Sequence, residues 1–519
     1  MKNIKQERKN KRDVKEFFEI LFIVFCVLSI LFIQIVNFYY VYIKTTNTSN
    51  IFRFIYDFSK ICMIIYILLR KDSATYKLSW LIVIAIVPVL GLVLYQIFGN
   101  SNFSKKRIRK MKNISKNTQD YLKINGDVLD EIDSWQAKKE FKFLYNMIGY
   151  PIYKNDGLVY LKTGEEFFED LLKRLREAKK FILIDLYIFS KSDLLDEVLG
   201  ILKNKAQEKV EIKIIADDLG SKFRKPKKLE EFLKNNNIEI IFYNTNILCP
   251  NRYIAFRDHR KIIVIDSKVA YTGGINIADE YVNTIEKYGY FKDGGIKVYG
   301  EAVLSFIVMF GRLYEQITSK SFDYFKYTSC VVSKTKTQGY VMPVEQTPQN
   351  NKNAIENMYI NAIGSAKDYI YIATPYFIPS ESLISVISNA ARSGVKISII
   401  VPGVPDKVLV NKATKSFYTV CLEAGIDIYE YRPGFIHSKV FLKDDEFAVC
   451  GSINLDYRSF NLNYESAVVT YKTGEELKIK KDFENMINNS NKLDLSSHIK
   501  RPFLEKVVEA VSRLFTPII

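Results

Sequence analysis

The chain has 519 residues, which is enough for two or three domains with sizeable cores. Its formal charge of +17, from 75 basic and 58 acidic residues, suits an anionic partner such as acidic lipid or nucleic acid. A hydrophobic content of 48% excludes global disorder, and six scattered cysteines without a C-x-x-C pair argue against a zinc site or a disulfide scaffold.

Two uncharged runs near the N-terminus have the length of membrane-spanning helices. Residues 20–43, behind a basic segment at 1–19, are free of charge over 24 positions, and residues 78–98 over 21 positions. Because a bilayer crossing needs about 20 apolar residues, both runs are predicted to be transmembrane helices rather than buried core helices. Residues 51–69 contain three charged side chains, and form either a third, imperfect span or an interfacial segment.

Basic residues on both sides of these runs predict their orientation. The first 15 residues carry seven Lys or Arg and residues 105–112 carry six, and such segments stay on the cytoplasmic side. Both flanks can be cytoplasmic only if the number of crossings is even, which favours two spans over three. The expected protein is therefore a multi-pass protein of the plasma membrane, with a linker at 99–140 and the remainder on the cytoplasmic side.

From residue 141 onward, strands alternate with helices, which is typical of an α/β fold. The same order of elements occurs twice, so two pseudo-symmetric domains are predicted, at 141–330 and 331–490, rather than an array of short repeats. Strands are predicted at 181–189, 210–216 and 238–242 in the first domain and at 369–373, 395–401 and 426–431 in the second. Helices are predicted at 167–180, 194–207, 353–367 and 381–392.

Each domain contains one copy of the motif H-x-K-x-x-x-x-D, followed by an asparagine 17 positions after the histidine. The residues are His259, Lys261, Asp266 and Asn276 in the first copy and His437, Lys439, Asp444 and Asn454 in the second. One H-x-K pair on a strand is usually only a polar face, but two copies with one shared offset indicate a functional site. The third histidine of the chain, His498, lacks such surroundings and is expected on the surface.

Alternation along a strand predicts which motif residues act together. Side chains at i and i+2 point to the same face, so the histidine and lysine of each copy should point together. Asp266 and Asp444 complete the candidate catalytic set of six, but their odd offset from the histidine predicts that they face away. A structural contact with nearby backbone is therefore expected for both.

Two imidazoles, two ammonium groups and two amides around one point suit a phosphodiester. The lysines and asparagines would stabilise charge on the non-bridging oxygens, while one histidine attacks phosphorus and the other transfers protons to and from the alcohols. Each histidine also needs an orienting partner. Glu465 is the candidate for His437, and Asp293 is the candidate in the first domain, where Lys287 occupies the offset equivalent to Glu465. The phosphate-binding and orienting candidates are thus Asn276, Asn454, Ser452, Glu465 and Asp293.

These residues resemble the motifs of the phospholipase D superfamily and, within it, of the bacterial cardiolipin synthase family. The resemblance covers essentially the whole chain after the first hydrophobic run. The stretches that carry it are 78–99, 217–221, 273–281, 374–379, 434–439 and 456–465. Asp185 stands where the family often has Glu, and Gly274 stands where the second domain has Ser452, which leaves the hydrogen bonds of the first half-site open.

The resemblance implies two phospholipase D-like α/β sandwich domains that share one active site. It implies phosphatidyl transfer between two phosphatidylglycerol molecules, giving cardiolipin and glycerol through a phosphohistidine, without a metal or other cofactor. It also implies that His259 is the nucleophile and His437 the acid and base, which the residues alone leave open. The expected partners are phosphatidylglycerol, cardiolipin and an anionic membrane, and not nucleic acid. The oligomeric state is left open.

Three other functions are weighed against this one. A phospholipase D would use the same residues to release phosphatidic acid to water. A phosphodiesterase or nuclease of the superfamily would act on another phosphodiester, although no nucleic-acid module is recognisable. A non-catalytic membrane scaffold would not need two intact motifs.

The tail at 491–519 has apolar residues at three- to four-residue spacing from position 501 onward, which predicts an amphipathic helix. Such a helix would either pack on the core or lie on the bilayer.

Overall fold

A computed structural model describes residues 49–70, 72–99, 104–122, 126–222, 224–245, 255–329, 337–348 and 353–516. The described residues form two compact units, one of residues 49–99 with 514–516 and one of residues 104–513. The basic segment 1–19 and the helix predicted at 20–43 lie outside the described residues.

The first unit is helical, with α1 at Ser49–Leu69, α2 at Ala74–Ile86, α3 at Pro88–Leu94 and a π-helical turn at Tyr95–Gly99. The run 78–98 therefore differs from the single helix predicted for it. Val87 leaves the helical region at φ −129° and ψ 73°, because a following proline disfavours helical geometry in its predecessor. Within the described ranges, no helix combines the length and the apolar character that a bilayer crossing requires. The transmembrane assignments stay predictions.

The second unit alternates helices and strands. Its helices are α4 (Lys105–Asn117), α5 (Gly126–Asp130), α6 (Trp135–Ile148), α7 (Gly164–Glu177), α8 (Asp193–Gln207), α9 (Asp218–Lys222), α10 (Leu229–Asn235), α11 (Ala302–Thr318), α12 (Tyr324–Thr328), α13 (Ala354–Gly364), α14 (Glu381–Arg392), α15 (Val408–Lys415), α16 (Tyr418–Glu423), α17 (Tyr457–Asn461), α18 (Glu475–Asn488), α19 (Leu495–Ile499) and α20 (Phe503–Phe515), with 3₁₀ turns at Gln119–Tyr121 and Asp279–Val282. Its strands are β1 (Tyr153–Lys154), β2 (Leu158–Leu161), β3 (Phe181–Leu186), β4 (Glu211–Asp217), β5 (Glu239–Tyr243), β6 (Arg257–Asp258), β7 (Lys261–Ile265), β8 (Val269–Gly273), β9 (Tyr290–Lys292), β10 (Gly295–Tyr299), β11 (Tyr340–Gln346), β12 (Tyr369–Ala373), β13 (Lys396–Pro402), β14 (Asp427–Tyr431), β15 (Gly434–Ile436), β16 (Val440–Lys443), β17 (Phe447–Gly451), β18 (Asn463–Tyr471) and β19 (Ser490–Lys492).

Two mixed sheets have matching strand orders. The first sheet runs β2-β10-β8-β7-β3-β4-β5, and the second contains β11-β18-β17-β16-β12-β13-β14, with β1 and β19 added at its ends. In each sheet the strand that follows the histidine, β7 or β16, is antiparallel to its neighbours, while β3 with β4 and β12 with β13 are parallel. The predicted α/β fold with two similar halves is confirmed.

Three apolar cores hold the second unit together. One core lies between the two sheets and includes most of α11, and the other two lie on the outer faces of the sheets. Strand β3 contributes side chains to two of these cores. Phe181 and Leu183 face the central core, and Ile182 and Ile184 face the outer core of the first half. Burial of both faces explains why this strand reads as a continuous apolar run.

The helices within the predicted linker 99–140 also contribute to the cores. Met111 of α4 belongs to the central core, and Ala137 of α6 belongs to the outer core of the second half. This part of the chain is therefore packed against the two halves.

Strand β3 ends at Leu186, earlier than the predicted end at residue 189. The Ile188 N–H donates to Oδ1 of Asn276 at 3.1 Å, and Phe189 forms a single bridge with Ile277. These contacts with the loop after β8 replace the sheet ladder and turn the chain away from it.

Asp266 and Asp444 occupy equivalent hairpin turns after β7 and β16. Each lies in the left-handed region, with φ of 53° and 52°, and the next residue does so too. The Asp266 carboxylate accepts the backbone N–H groups of residues 179–181 at 2.7–2.9 Å, and Asp444 accepts those of residues 367–369 at 2.8–2.9 Å. Both carboxylates thus connect the end of the motif strand to the start of β3 or β12.

Asp266→Ala is expected to lower the thermal unfolding midpoint more than Asp444→Ala does. Each substitution removes three hydrogen bonds to a charged acceptor, worth about 1.5–3 kcal/mol apiece before compensation by water. Asp266 is buried whereas Asp444 is half-buried, so water replaces fewer of the lost bonds at Asp266. Differential scanning fluorimetry of both purified variants measures the order, and equal midpoints would contradict this account.

Candidate active site

The two motif histidines are each bonded to a carboxylate from the other half of the molecule. His259 Nδ1 lies 2.9 and 3.0 Å from the two oxygens of Glu465, and His437 Nδ1 lies 2.6 Å from Oδ2 of Asp293. The sequence pairs these groups the other way round, with Glu465 for His437 and Asp293 for the first domain, and that assignment is wrong. A carboxylate acceptor at Nδ1 holds the proton there and leaves the Nε2 lone pair available for chemistry.

Short strands that cross between the halves produce this exchange. β6, just before His259, pairs with β18, which contains Glu465, and the His259 N–H donates to the carbonyl of Tyr464 at 2.9 Å. β15, just before His437, pairs with β9, and the His437 N–H donates to the carbonyl of Lys292 at 2.8 Å. Offsets counted within one half cannot reveal a pairing that is made between halves.

Each motif lysine folds back over its histidine. Lys261 Nζ donates to the carbonyl of His259 at 2.6 Å, and Lys439 Nζ donates to that of His437. The structure therefore brings together the histidine and lysine of each copy. Asp266 and Asp444, in the candidate catalytic set, contact backbone at the far end of the strand instead.

Burial and the lysine charges keep both imidazoles neutral. Burial, Lys261 and Lys439 together place the pKa of His259 well below its ordinary value, and burial with Lys439 lowers the pKa of His437 to about 4. Burial also lowers the pKa of Lys261 to about 8 and that of Lys439 to about 7. Since Lys439 acts on His259 and Lys261 acts on His437, the two copies form one electrostatic site.

The two carboxylates differ in their surroundings. Burial raises the pKa of Glu465 to about 7, against the opposing charge of Lys261 and the hydrogen bonds it accepts from Ser452, Asn463 and Ser459. Asp293 is also buried, but the nearby His437 and Lys439 leave its pKa below the ordinary value. Asp293 is thus the more fully ionised of the two.

The asparagines and Ser452 have separate positions. Asn276 accepts from the Ile188 N–H and donates to the Tyr281 hydroxyl at 2.6 Å, and the Tyr281 ring lies 5.5 Å from that of His437. Asn454 is buried, and its Oδ1 has no hydrogen-bond partner among the described residues. Ser452 donates to Glu465. Asn276 and Ser452 therefore support the site's framework, and their predicted contact with phosphate stays a prediction.

Two further residues of the site were not singled out from the sequence. The ring of Tyr187 lies edge-on to His259 with centroids 5.0 Å apart, and the charge of Lys407 contributes to the low pKa of His259. Tyr187 lies within the strand predicted at 181–189, so its place beside the site could have been inferred, but Lys407 lies in a loop without such a pattern. Among the described residues, no group of three or more His, Cys, Asp or Glu side chains could hold a metal ion.

His498 is buried, so its predicted place on the surface is wrong. Its Nε2 accepts a hydrogen bond from Arg501 at 2.6 Å, and its ring packs against Tyr418 with centroids 5.6 Å apart. The short helix α19 brings it against α16, a contact that the local sequence does not show.

Comparison with known proteins identifies the family. A family model described as cardiolipin synthase, PLD-like domain matches residues 171–288 and 359–487, and a phospholipase D-nuclease N-terminal model matches residues 61–100. The cardiolipin synthase of Alkalihalophilus pseudofirmus is 32% identical over 471 residues, covering 90% of this chain and 93% of its own. The chain belongs to the cardiolipin synthase family of the phospholipase D superfamily. It is therefore an enzyme of the phosphatidyltransferase type.

Other relatives agree with this placement. The cardiolipin synthase of Halalkalibacterium halodurans is 32% identical, covering 88% of this chain and 91% of its own. An uncharacterized protein of Streptococcus mutans serotype c is 34% identical, covering 88% and 99%. The crystal structure of phosphatidylserine synthase from Haemophilus influenzae has the same fold, with a TM-score of 0.56 at 16% identity, covering 74% of this chain and all of that one.

A buried arginine inside the first family motif ties the halves together. Arg260 is fully buried and pairs with Asp185 at 3.0 Å, Asp258 at 3.0 Å and Glu345 of β11 at 2.5 Å. Burial and then the charges of Asp258 and Glu345 raise the pKa of Asp185 well above its ordinary value, against the opposing charge of Arg260. The second copy has Ser438 at this position, so the two copies share their chemistry but not this structural contact.

A second difference between the halves is Gly274 in the first, which stands where the second half has Ser452. A Cβ built on Gly274 would lie 2.4 Å from Oδ1 of Asp293, whereas the equivalent Ser452 donates its hydroxyl to Glu465. The shorter carboxylate can reach His437 only because the residue beneath it has no side chain.

Gly274→Ala is expected to lower kcat on the order of 100-fold, because a shift of about 1 Å at a positioning group has an effect of that size. The variant displaces Asp293 and with it the ring of His437. Gly200→Ala in α8 is the matched control, since its added Cβ meets nothing within 4 Å. Parental kcat in the Gly274 variant would refute this positioning role.

Lys439→Met is expected to raise the pKa of His437 by roughly one unit or more, because it removes a neighbouring positive charge. A higher pKa means that the His437 imidazole takes up its proton at a higher pH. Asp293→Asn removes an interaction that raises the same pKa and should move it further down. NMR titration of the imidazole Cε1–H signals, of which this chain has only three, measures both shifts. A shift in the same direction in both variants would contradict this electrostatic account.

Proposed function

We propose that the protein joins two phosphatidylglycerol molecules into cardiolipin and releases glycerol, through a phosphohistidine. The observation that carries the proposal is the crossed pair of Nδ1–carboxylate bonds. They present two free Nε2 atoms in one site with two lysine ammonium groups. That arrangement suits double displacement at a phosphodiester, in which one imidazole bonds to phosphorus and the other moves protons.

In the first step, Nε2 of His259 attacks the phosphorus of one phosphatidylglycerol. The bond from phosphorus to the glycerol oxygen breaks, and that oxygen takes a proton from Nε2 of His437. Lys261 and Lys439 balance the charge on the non-bridging oxygens. The bound phosphodiester in turn offsets the lysine charges that hold the pKa of His437 low, so that His437 can carry the proton it donates.

In the second step, a hydroxyl of the other phosphatidylglycerol attacks the phosphohistidine. His437, now neutral, removes the proton of that hydroxyl, and the bond between phosphorus and His259 breaks. Cardiolipin leaves, and both histidines return to their starting states. One phosphodiester is broken and one is made, so the exchange needs no outside source of energy.

The carboxylate surroundings favour this division of roles over the reverse. Asp293, the more ionised carboxylate, is suited to stabilise the imidazolium that an acid and base must form. Glu465, whose pKa is raised to about 7, stabilises a protonated His259 less than Asp293 stabilises a protonated His437. It can still balance the positive charge that the His259 ring carries when it is bonded to phosphorus. His259 therefore acts as the nucleophile in the proposal.

The proposal also includes the membrane arrangement predicted from the sequence. Transmembrane helices at 20–43 and 78–98, with the halves at 141–330 and 331–490 in the cytoplasm, would hold the site beside lipid. An acceptor hydroxyl carried by a neighbouring lipid is then at high local concentration relative to other alcohols.

Incubation of the purified protein with phosphatidylglycerol alone tests the reaction. The expected products are cardiolipin and free glycerol in equal amounts, separated by thin-layer chromatography and an enzymatic glycerol assay. Phosphatidic acid as the main product would instead assign the protein as a hydrolase.

His259→Ala and His437→Ala are each expected to lower turnover by roughly 10⁴-fold or more, since each removes a group used in both steps. With headgroup-labelled ³²P substrate and an acid-free quench, the parent should carry label on protein and His259→Ala should carry none. His498→Gln, at the third histidine, is the control and should keep the label. Labelled His259→Ala protein would refute His259 as the nucleophile.

A further inference from the structure

The C-terminal helix α20 is packed with its polar side inward. Glu509 and Ser512 are buried at 3% and 6% exposure, and Glu505, one turn earlier, is half-buried. The other side carries apolar residues, of which Phe503 and Leu504 are 80% and 73% exposed. A helix that packs on its own core turns its apolar stripe toward that core, so α20 has the reverse orientation.

Ionic contacts hold α20 in this orientation. Arg501 donates to both carboxylate oxygens of Glu509, at 2.6 and 3.1 Å. Near the other end of the helix, Arg513 pairs with Glu381 of α14 at 2.6 Å and lies 4.3 Å from the centre of the Phe417 ring. Turning the apolar side inward would break these contacts and leave the half-buried Arg501 without its carboxylate partner, which is costly.

The exposed apolar residues form one continuous stripe. They recur every three or four positions, and the stripe consists of Phe503, Leu504, Val507, Val508 and Val511. Lys500 and Lys506 are exposed beside it. An apolar stripe flanked by cations is typical of helices that lie in the interface of an anionic bilayer.

A bilayer fits this stripe better than a second copy of the chain. A helix of 13 residues is about 20 Å long and about 10 Å wide, so the stripe offers roughly 200 Å², whereas a stable protein interface needs roughly 800 Å² per partner. Two copies would also bring like charges together, since the chain carries +17. Anionic lipid is attracted by the same charge.

We propose that α20 lies in the surface of an anionic bilayer, with its apolar stripe about 5–10 Å deep in the boundary between headgroups and acyl chains. The choice of lipid rests in part on the proposed function, whose substrate is an anionic phospholipid. The ion pair of Arg513 with Glu381 then attaches the second catalytic half to that surface, and the site is held at a set height above the lipid.

The test places a tryptophan in the stripe of the full-length protein. Phe503→Trp is reconstituted into phosphatidylserine/phosphatidylcholine vesicles with brominated acyl chains and compared with unbrominated vesicles, with Trp80 and Trp135 of the unsubstituted chain as background. The emission of the added tryptophan should fall roughly twofold, because the proposed depth of about 5–10 Å brings it near the bromines. No quenching beyond the background would overturn the proposal.

Leu477→Trp is the matched control. Leu477 is an apolar residue on α18 that is 53% exposed, and its replacement should show no added quenching. Combining Phe503→Trp with Lys500→Glu and Lys506→Glu should reduce the quenching. Equal quenching at positions 477 and 503, or quenching at 503 that grows with the protein-to-lipid ratio as self-association would produce, would each overturn the proposal.

This result is separable from the proposed reaction. Phosphatidylserine is not a substrate in that reaction, so quenching reports on α20 whether or not phosphatidylglycerol is turned over. Quenching without cardiolipin formation would reject the proposed function alone, and cardiolipin formation without quenching would reject the docking of α20 alone.

Discussion

The bond between each motif imidazole and a carboxylate of the opposite half is the constraint on which the rest of the site depends. His259 with Glu465 and His437 with Asp293 make each half incomplete without the other. The pairing of β6 with β18 and of β15 with β9 brings these groups together. The central core around α11 packs between the two sheets and holds the halves in contact. Duplication of one fold thus yields one site instead of two.

The pairing of histidines with carboxylates of the opposite half also concentrates charged groups in a largely buried site. Two lysines next to two imidazoles disfavour any further positive charge, so both histidines are neutral in the free site. The same crowding and burial lower the pKa of both lysines. An anionic phosphodiester relieves this repulsion on binding. Beneath the site, Arg260 and its three carboxylates form a second buried cluster, with the opposite excess of charge. The two clusters together make the region between the halves polar, while apolar packing surrounds it.

The proposed lipid substrate places a further demand on the molecule, because the phosphate of a membrane phospholipid lies at a bilayer surface. The reversed packing of α20 fits that demand, since its buried side is bound by ion pairs and its outer side offers apolar residues between lysines. An amphipathic pattern in a sequence is compatible with either orientation. The contacts of Arg501 and Arg513 decide which side faces outward, and both residues lie on the polar part of the pattern.

The α/β class, the duplication and the residues of the candidate site can be predicted from the sequence. Each of these follows from local periodicity or from a repeated spacing, and strand alternation alone separated the histidine–lysine pairs from Asp266 and Asp444. The break at Val87, the early end of β3 and the burial of His498 depended on contacts with other segments, and a local pattern does not contain them. The pairing of each histidine with its carboxylate depends on contacts made in the folded molecule. The reason is physical: a carboxylate is selected by its distance from the ring across the interface between the halves, and spacing along one half carries no information about that distance.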